Sequence, residues 1–195
     1  MPDRIELATS GRARCRACRR AIAKGVERYA EAVPNPAAEG ESQHYYHLEC
    51  AAERRAKPFA AHLSALDPPR PELAPLGDSA RFTLEHHRLE RLGVLERAKS
   101  ARATCRQCRE PIEKDAWRVA LQPIEEGRLA AWGFVHLKCA GAYAGIKPSL
   151  ERLTRYTDLE PSDREQVAAM LDAMPIPEPR GPEEDDAEGQ ASDGS

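Results

Sequence analysis

The sequence predicts an α+β protein: two small domains, each a short antiparallel sheet with helices, followed by a disordered acidic C-terminal tail. Three observations predict it. Residues 10–30 recur at 100–120, where 11 of 21 positions are identical at an offset of 90. Only two copies exist, so these are tandem modules and not a solenoid. Aromatic residues make up 5% of the chain and charged residues 31%, which leaves little material for one large core. Small domains of this kind draw extra stability from a metal or from disulfides. All six cysteines also fall at matching places in the two copies.

Each module reads alike along the chain. A Cys-x-x-Cys turn comes first, at Cys15 and Cys18 and again at Cys105 and Cys108. Alternating character then predicts strands near 27–33 and 117–122. Loops containing Pro or Gly follow at 34–43 and 123–128, and second strands at 44–47 and 131–136 lead into His47 and His136. Helical sequence follows at 49–55 and 138–143. The stretch 67–75, DPPRPELAP, reads as linker because proline donates no backbone hydrogen bond. Residues 79–92 look helical, as a spacer or as part of either module. A last helix is expected from Ser162, with Ser162 and Glu165 as a capping box. The expected divisions are 1–66 (first module), 67–92 (Pro-rich linker with a possible spacer helix), 93–173 (second module) and 174–195 (disordered tail).

Each lone cysteine follows a histidine by three positions: His47 with Cys50, and His136 with Cys139. Cys-x-x-Cys on a tight turn brings two thiolates to one ion. His-x-x-Cys at a helix start supplies two more ligands. The expected metal sites are therefore Cys15, Cys18, His47 and Cys50, and Cys105, Cys108, His136 and Cys139. Three thiolates and an imidazole suit tetrahedral zinc, so the expected cofactor is two structural zinc ions per chain. The gaps agree, with 28 residues between Cys18 and His47 and 27 between Cys108 and His136. Two disulfides with two free thiols are the alternative, which the paired histidines disfavour. His44 is the one credible substitute ligand. Tyr45, Tyr46, Trp117, Trp132 and Phe134 read as small-core residues beside the ligands.

No apolar signal segment opens the chain, and no apolar run reaches membrane-span length. The expected location is intracellular: cytoplasm or nucleoid in a bacterium, nucleus in a eukaryote. The formal charge of −3 hides an asymmetry. Residues 175–195 carry −6, which leaves the body at +3. Arg12, Arg14, Arg16, Arg19, Arg20, Lys24 and Arg28 surround the first cysteine pair, and a basic cluster on a folded domain suits a polyanion.

Both modules resemble the PARP-type zinc finger, the family of fingers found in poly(ADP-ribose) polymerase and DNA ligase III. In the first module the resemblance is carried by Ser10-Gly11-Arg12-Ala13 before Cys15, then Ile22, Lys24-Gly25, Arg28 and His44 to Cys50. In the second it is carried by Ala98-Lys99-Ser100, Arg102-Ala103, Cys105, Cys108, Ile112, Lys114, Arg118, Trp132, His136 and Cys139. It covers most of 3–66 and 93–172. The resemblance implies DNA binding at nicks and ends through backbone phosphates, in damage sensing or repair. It implies that Arg12, Arg28, Arg102 and Arg118 hold those phosphates, as guanidinium pairs well with phosphate. The expected partners are nicked or broken duplex DNA and a repair protein, with no membrane. With fingers, linker and tail assigned, no catalytic segment is expected, so the protein reads as a non-enzyme. A zinc-stabilised protein-interaction adaptor is the alternative.

Overall fold

The computed structural model describes residues 2–35, 39–122 and 133–177. The expectations for the tail beyond 177, for residues 36–38 and for residues 123–132, Trp132 included, lie outside them.

The first module opens on a three-stranded antiparallel sheet of β1 (Arg4–Leu7), β2 (Glu27–Pro34) and β3 (Glu41–His47), with β2 in the middle. β2 carries the core: Tyr29 and Ala30 are fully buried, and Phe59 meets Tyr29 edge-on at 5.2 Å between centroids. Glu31 on the same strand is buried too. Its carboxylate is paired: Arg55 Nε donates to both of its oxygens, at 2.9 and 2.8 Å. Helices α1 (Leu48–Arg54) and α2 (Ala56–Ser64) close this module.

Residues 67–92 are helical for most of their length. A 3-10 turn over Pro71–Leu73 leads into α3 (Ala74–Glu85), which lies against α1 and α2. Pro75 sits in the first turn of α3, where a missing N–H costs nothing. His86 leaves helical geometry, and the short α4 (His87–Arg91) follows.

The second module repeats the sheet as β4 (Leu92–Arg97), β5 (Trp117–Leu121) and β6 (Gly133–His136), again antiparallel with the middle strand buried. The β4–β5 register shifts between Leu92 and Leu95, where Gly93 lets the Ala120 carbonyl approach. A 3-10 turn (Leu137–Cys139), α5 (Ala140–Ala144), α6 (Leu150–Thr154) and α7 (Pro161–Asp172) complete it. Gly145, at φ 71°, ends α5 in the left-handed conformation that only glycine adopts freely. The capping box does not form. Pro161 takes the first turn, Glu160 becomes the N-cap without a side-chain bond, and Ser162 lies inside the helix. Met174 is buried in the second core, beside Gly141.

Among the described residues no helix is long and apolar enough to cross a membrane. The two antiparallel sheets with helices are the expected α+β architecture. The outer strands β1 and β4, however, make each sheet three-stranded, where the sequence suggested a hairpin.

Candidate metal centres and their basic knuckles

Each Cys-x-x-Cys pair sits at the tip of a tight knuckle built from backbone hydrogen bonds. In the first, Cys15 N–H donates to Arg20 O and Arg19 N–H to Cys15 O, both at 2.9 Å. In the second, Cys105 N–H donates to Glu110 O and Arg109 N–H to Cys105 O, again at 2.9 Å. Closing so sharply puts Arg19 at φ 66° and Arg109 at φ 65°, a conformation that disfavours residues with a Cβ. The bridges Arg14–Ala21 and Thr104–Pro111 hold the two legs together.

The other two ligands come from a strand-to-helix corner. His47 ends β3 and caps α1, with Cys50 in the first helical turn. His136 ends β6, with Cys139 closing the 3-10 turn that follows. Each imidazole is aimed by its far nitrogen: His47 Nε2 lies 3.3 Å from Ala21 O and His136 Nε2 3.1 Å from Pro111 O. Nε2 is then the protonated nitrogen, and Nδ1 turns its lone pair toward the thiols. Nδ1 of His47 lies 3.3 Å from Cys18 Sγ and 3.9 Å from Cys50 Sγ; the second site repeats this at 3.4 Å to Cys108 and 3.9 Å to Cys139.

In each tetrad all four donor atoms lie within 4.8 Å of one another, so each can hold a metal ion. The thiols behave as a set that needs a cation. Hydrogen bonds with Cys15 and Cys50 pull the Cys18 thiol far down, while hydrogen bonds with Cys15 and Cys18 push Cys50 far up. Burial raises Cys105, but the N–H groups of Cys108, His136 and Gln107 outweigh it and leave that thiol low. Cys139 is pushed up to about 12, first by burial and then by the neighbouring thiols. Three thiolates cannot share so small a space unless a cation neutralises them. His44, the one substitute ligand the sequence offered, pairs with Glu31 across the β2–β3 ladder and belongs to neither tetrad.

The four arginines expected at phosphates divide into two kinds. Arg12 and Arg102 are exposed beside their knuckles. Arg28 and Arg118 are 6% and 8% exposed. Nε and Nη2 of Arg28 donate to Glu6 Oε1 at 3.0 and 2.6 Å, and its guanidinium stacks 3.6 Å from the Tyr45 ring centroid. Arg118 repeats this with Glu96 Oε1 at 3.0 and 2.6 Å and with Phe134 at 3.6 Å. Burial raises Glu6, but the Arg4 and Arg28 guanidiniums outweigh it and hold the carboxyl below its usual range. Sequence reasoning missed Glu6 and Glu96. Their signal was present, since both precede the cysteine pair by the same distance and share the 90-residue offset. Around them, Arg14, Arg19 and Lys24 are exposed in the first module, and Arg106, Arg109 and Lys114 in the second; Arg16 is half-buried. Tyr46 and Trp117 are buried core residues, while Tyr45 and Phe134 are the stacking partners just described.

No family model matches the chain. It is similar to "Poly [ADP-ribose] polymerase 1" of Danio rerio, 27% identical over 194 residues that cover 88% of this chain and 19% of that protein. It is also similar to "Poly [ADP-ribose] polymerase" of Sarcophaga peregrina, 26% identical over 137 residues, 61% of this chain and 14% of that one. The chain therefore spans a fifth or less of the length of these relatives. The likeness to poly(ADP-ribose) polymerases and the two Cys3His tetrads together agree with PARP-type fingers.

Proposed function

We propose that the chain is a zinc-dependent, non-catalytic DNA-binding protein that recognises nicks or ends through backbone phosphates, in damage sensing or repair. The observation that carries this reading is the duplicated knuckle: a Cys3His tetrad with exposed arginine and lysine around it, built twice on the same backbone bonds. Zinc follows from the donor set, because thiolate and imidazole in a closed tetrahedron favour it and leave no position for a reacting water. The likeness to poly(ADP-ribose) polymerases supports the link to DNA damage.

In this reading Arg12 and Arg102 meet phosphates directly. Arg28 and Arg118 already have two donors engaged by a carboxylate, so they contribute less to the phosphate and more to the fold. Phosphate contact gives affinity without reading bases. The protein would act in an intracellular compartment that keeps thiols reduced, by occupying DNA or recruiting a repair partner.

The test is filter binding to nicked, blunt-ended and closed-circular duplexes over a salt series. A preference for nicked or blunt DNA is expected, with log affinity falling linearly in log salt by about 0.9 per phosphate contacted. Absence of binding to every duplex at low salt refutes the reading and leaves a zinc-stabilised adaptor.

A further inference from the structure

The two modules meet through a buried polar junction that neither repeat contains alone. Arg152, on α6 of the second module, is 8% exposed. Its guanidinium donates to Glu53 O at 3.3 Å, Leu89 O at 3.2 Å and Thr83 Oγ1 at 3.3 Å, joining α1, α4 and α3. The Glu53 carboxylate accepts Tyr156 O–H at 2.8 Å and Arg155 Nε at 3.0 Å, both from the second module. Tyr156 packs on the first module's core, while Leu89, from the connecting helix, is buried in the second. Arg54 donates to the Glu90 and Leu92 carbonyls and lies 4.4 Å from the Tyr156 ring centroid.

This junction reaches both metal tetrads. Cys50 and Glu53 share α1 and are separated by one helical turn, so a metal on Cys50 fixes the turn that aims Glu53. On the other side Cys139 directly precedes α5, α5 packs on α4, and α4 supplies the Leu89 carbonyl to Arg152. A buried carboxylate and a buried guanidinium tolerate no shift that strips their partners. We propose that the two metal centres are energetically coupled through this junction, so that emptying one loosens the metal held by the other. The coupling rests on the reading of the tetrads as zinc sites. It also has a direction. Cys108 is exposed, whereas Cys15 and Cys50 are buried, so the second centre yields its ion first and the first centre follows.

The experiment uses the full chain loaded with zinc and a chromophoric zinc chelator in excess. Cys18→Ser empties the first site, and the rate of zinc loss from the second is compared with the fast phase of the parent, during which the first site is still filled. Acceleration of about tenfold or more is expected, as for ordinary coupling between sites. In a Glu53→Gln background the same comparison should give a ratio near one. Unchanged release in Cys18→Ser overturns the coupling while leaving two zinc sites in place. A parent chain that binds no zinc overturns the zinc reading itself. Should Cys18→Ser not fold, the Glu53→Gln chain with both sites intact decides: its thermal unfolding should split into two transitions, and one unsplit transition overturns the proposal.

Discussion

Replacing Arg28 by Met separates a structural arginine from a phosphate-binding one. The guanidinium makes two charge-assisted bonds to Glu6 and stacks on Tyr45. Such bonds are worth about 1.5–3 kcal/mol and the stacking about 0.5–2 kcal/mol. Arg4 still engages Glu6 Oε2 at 2.6 Å and keeps part of that charge paired. The expected net loss is about 2–3 kcal/mol, which in a chain of this size lowers Tm by roughly 5–10 °C. Arg12→Ala is the contrast. Arg12 is exposed, so Tm should hold within about 1 °C, while the salt slope of DNA binding falls by about 0.9. Thermal unfolding of the zinc-loaded proteins and a salt series on nicked duplex read both effects. If Arg28→Met kept the parent Tm but lost DNA affinity as Arg12→Ala does, Arg28 would face the phosphate and its pairing with Glu6 would not describe its role.

Three further outcomes are expected. Gly93→Ala places a Cβ 2.8 Å from the Ala120 carbonyl oxygen and 3.0 Å from Gln122 Cδ, so the second module should lose about 1–3 kcal/mol in denaturant unfolding; a fully stable variant would show that the strands can part. His62 has a buried, unpartnered Nε2, and burial lowers its pKa despite Asp3. The folded state thus binds its proton less readily than the unfolded chain, so its contribution is present above 6.5 and is lost as pH falls toward the lowered folded value. Parent stability should fall more than that of His62→Gln between pH 7 and about 5.5 in paired melts, and parallel curves would remove His62 from that loss. Truncation after Pro177 removes the seven acids and one arginine of the tail and should tighten DNA binding at low salt; equal affinity would dismiss competition by the tail.

The tetrads and the tandem α+β plan were legible because ligand spacing and internal repetition are local properties of the chain. The outer strands were not. Arg4–Leu7 is four residues long, and its pattern acquires meaning only once it pairs with β2. The first turn of α7 was misread because Pro161 outranks Ser162 in setting where a helix begins. Arg28 and Arg118 looked like free cations because their acidic partners lie 22 residues away in each copy. The junction was least legible of all. Arg152 and Glu53 are 99 residues apart, have no counterpart relation in the repeat, and make sense only after both modules have folded.

The most direct test is elemental analysis of the purified, reduced full chain, with far-ultraviolet circular dichroism before and after chelation. Two zinc ions per chain are expected, with loss of the folded signal once they are removed, because closed Cys3His sites of this kind stabilise small domains by about 10–16 kcal/mol. Far less than that stoichiometry, or a spectrum untouched by the chelator, would contradict it.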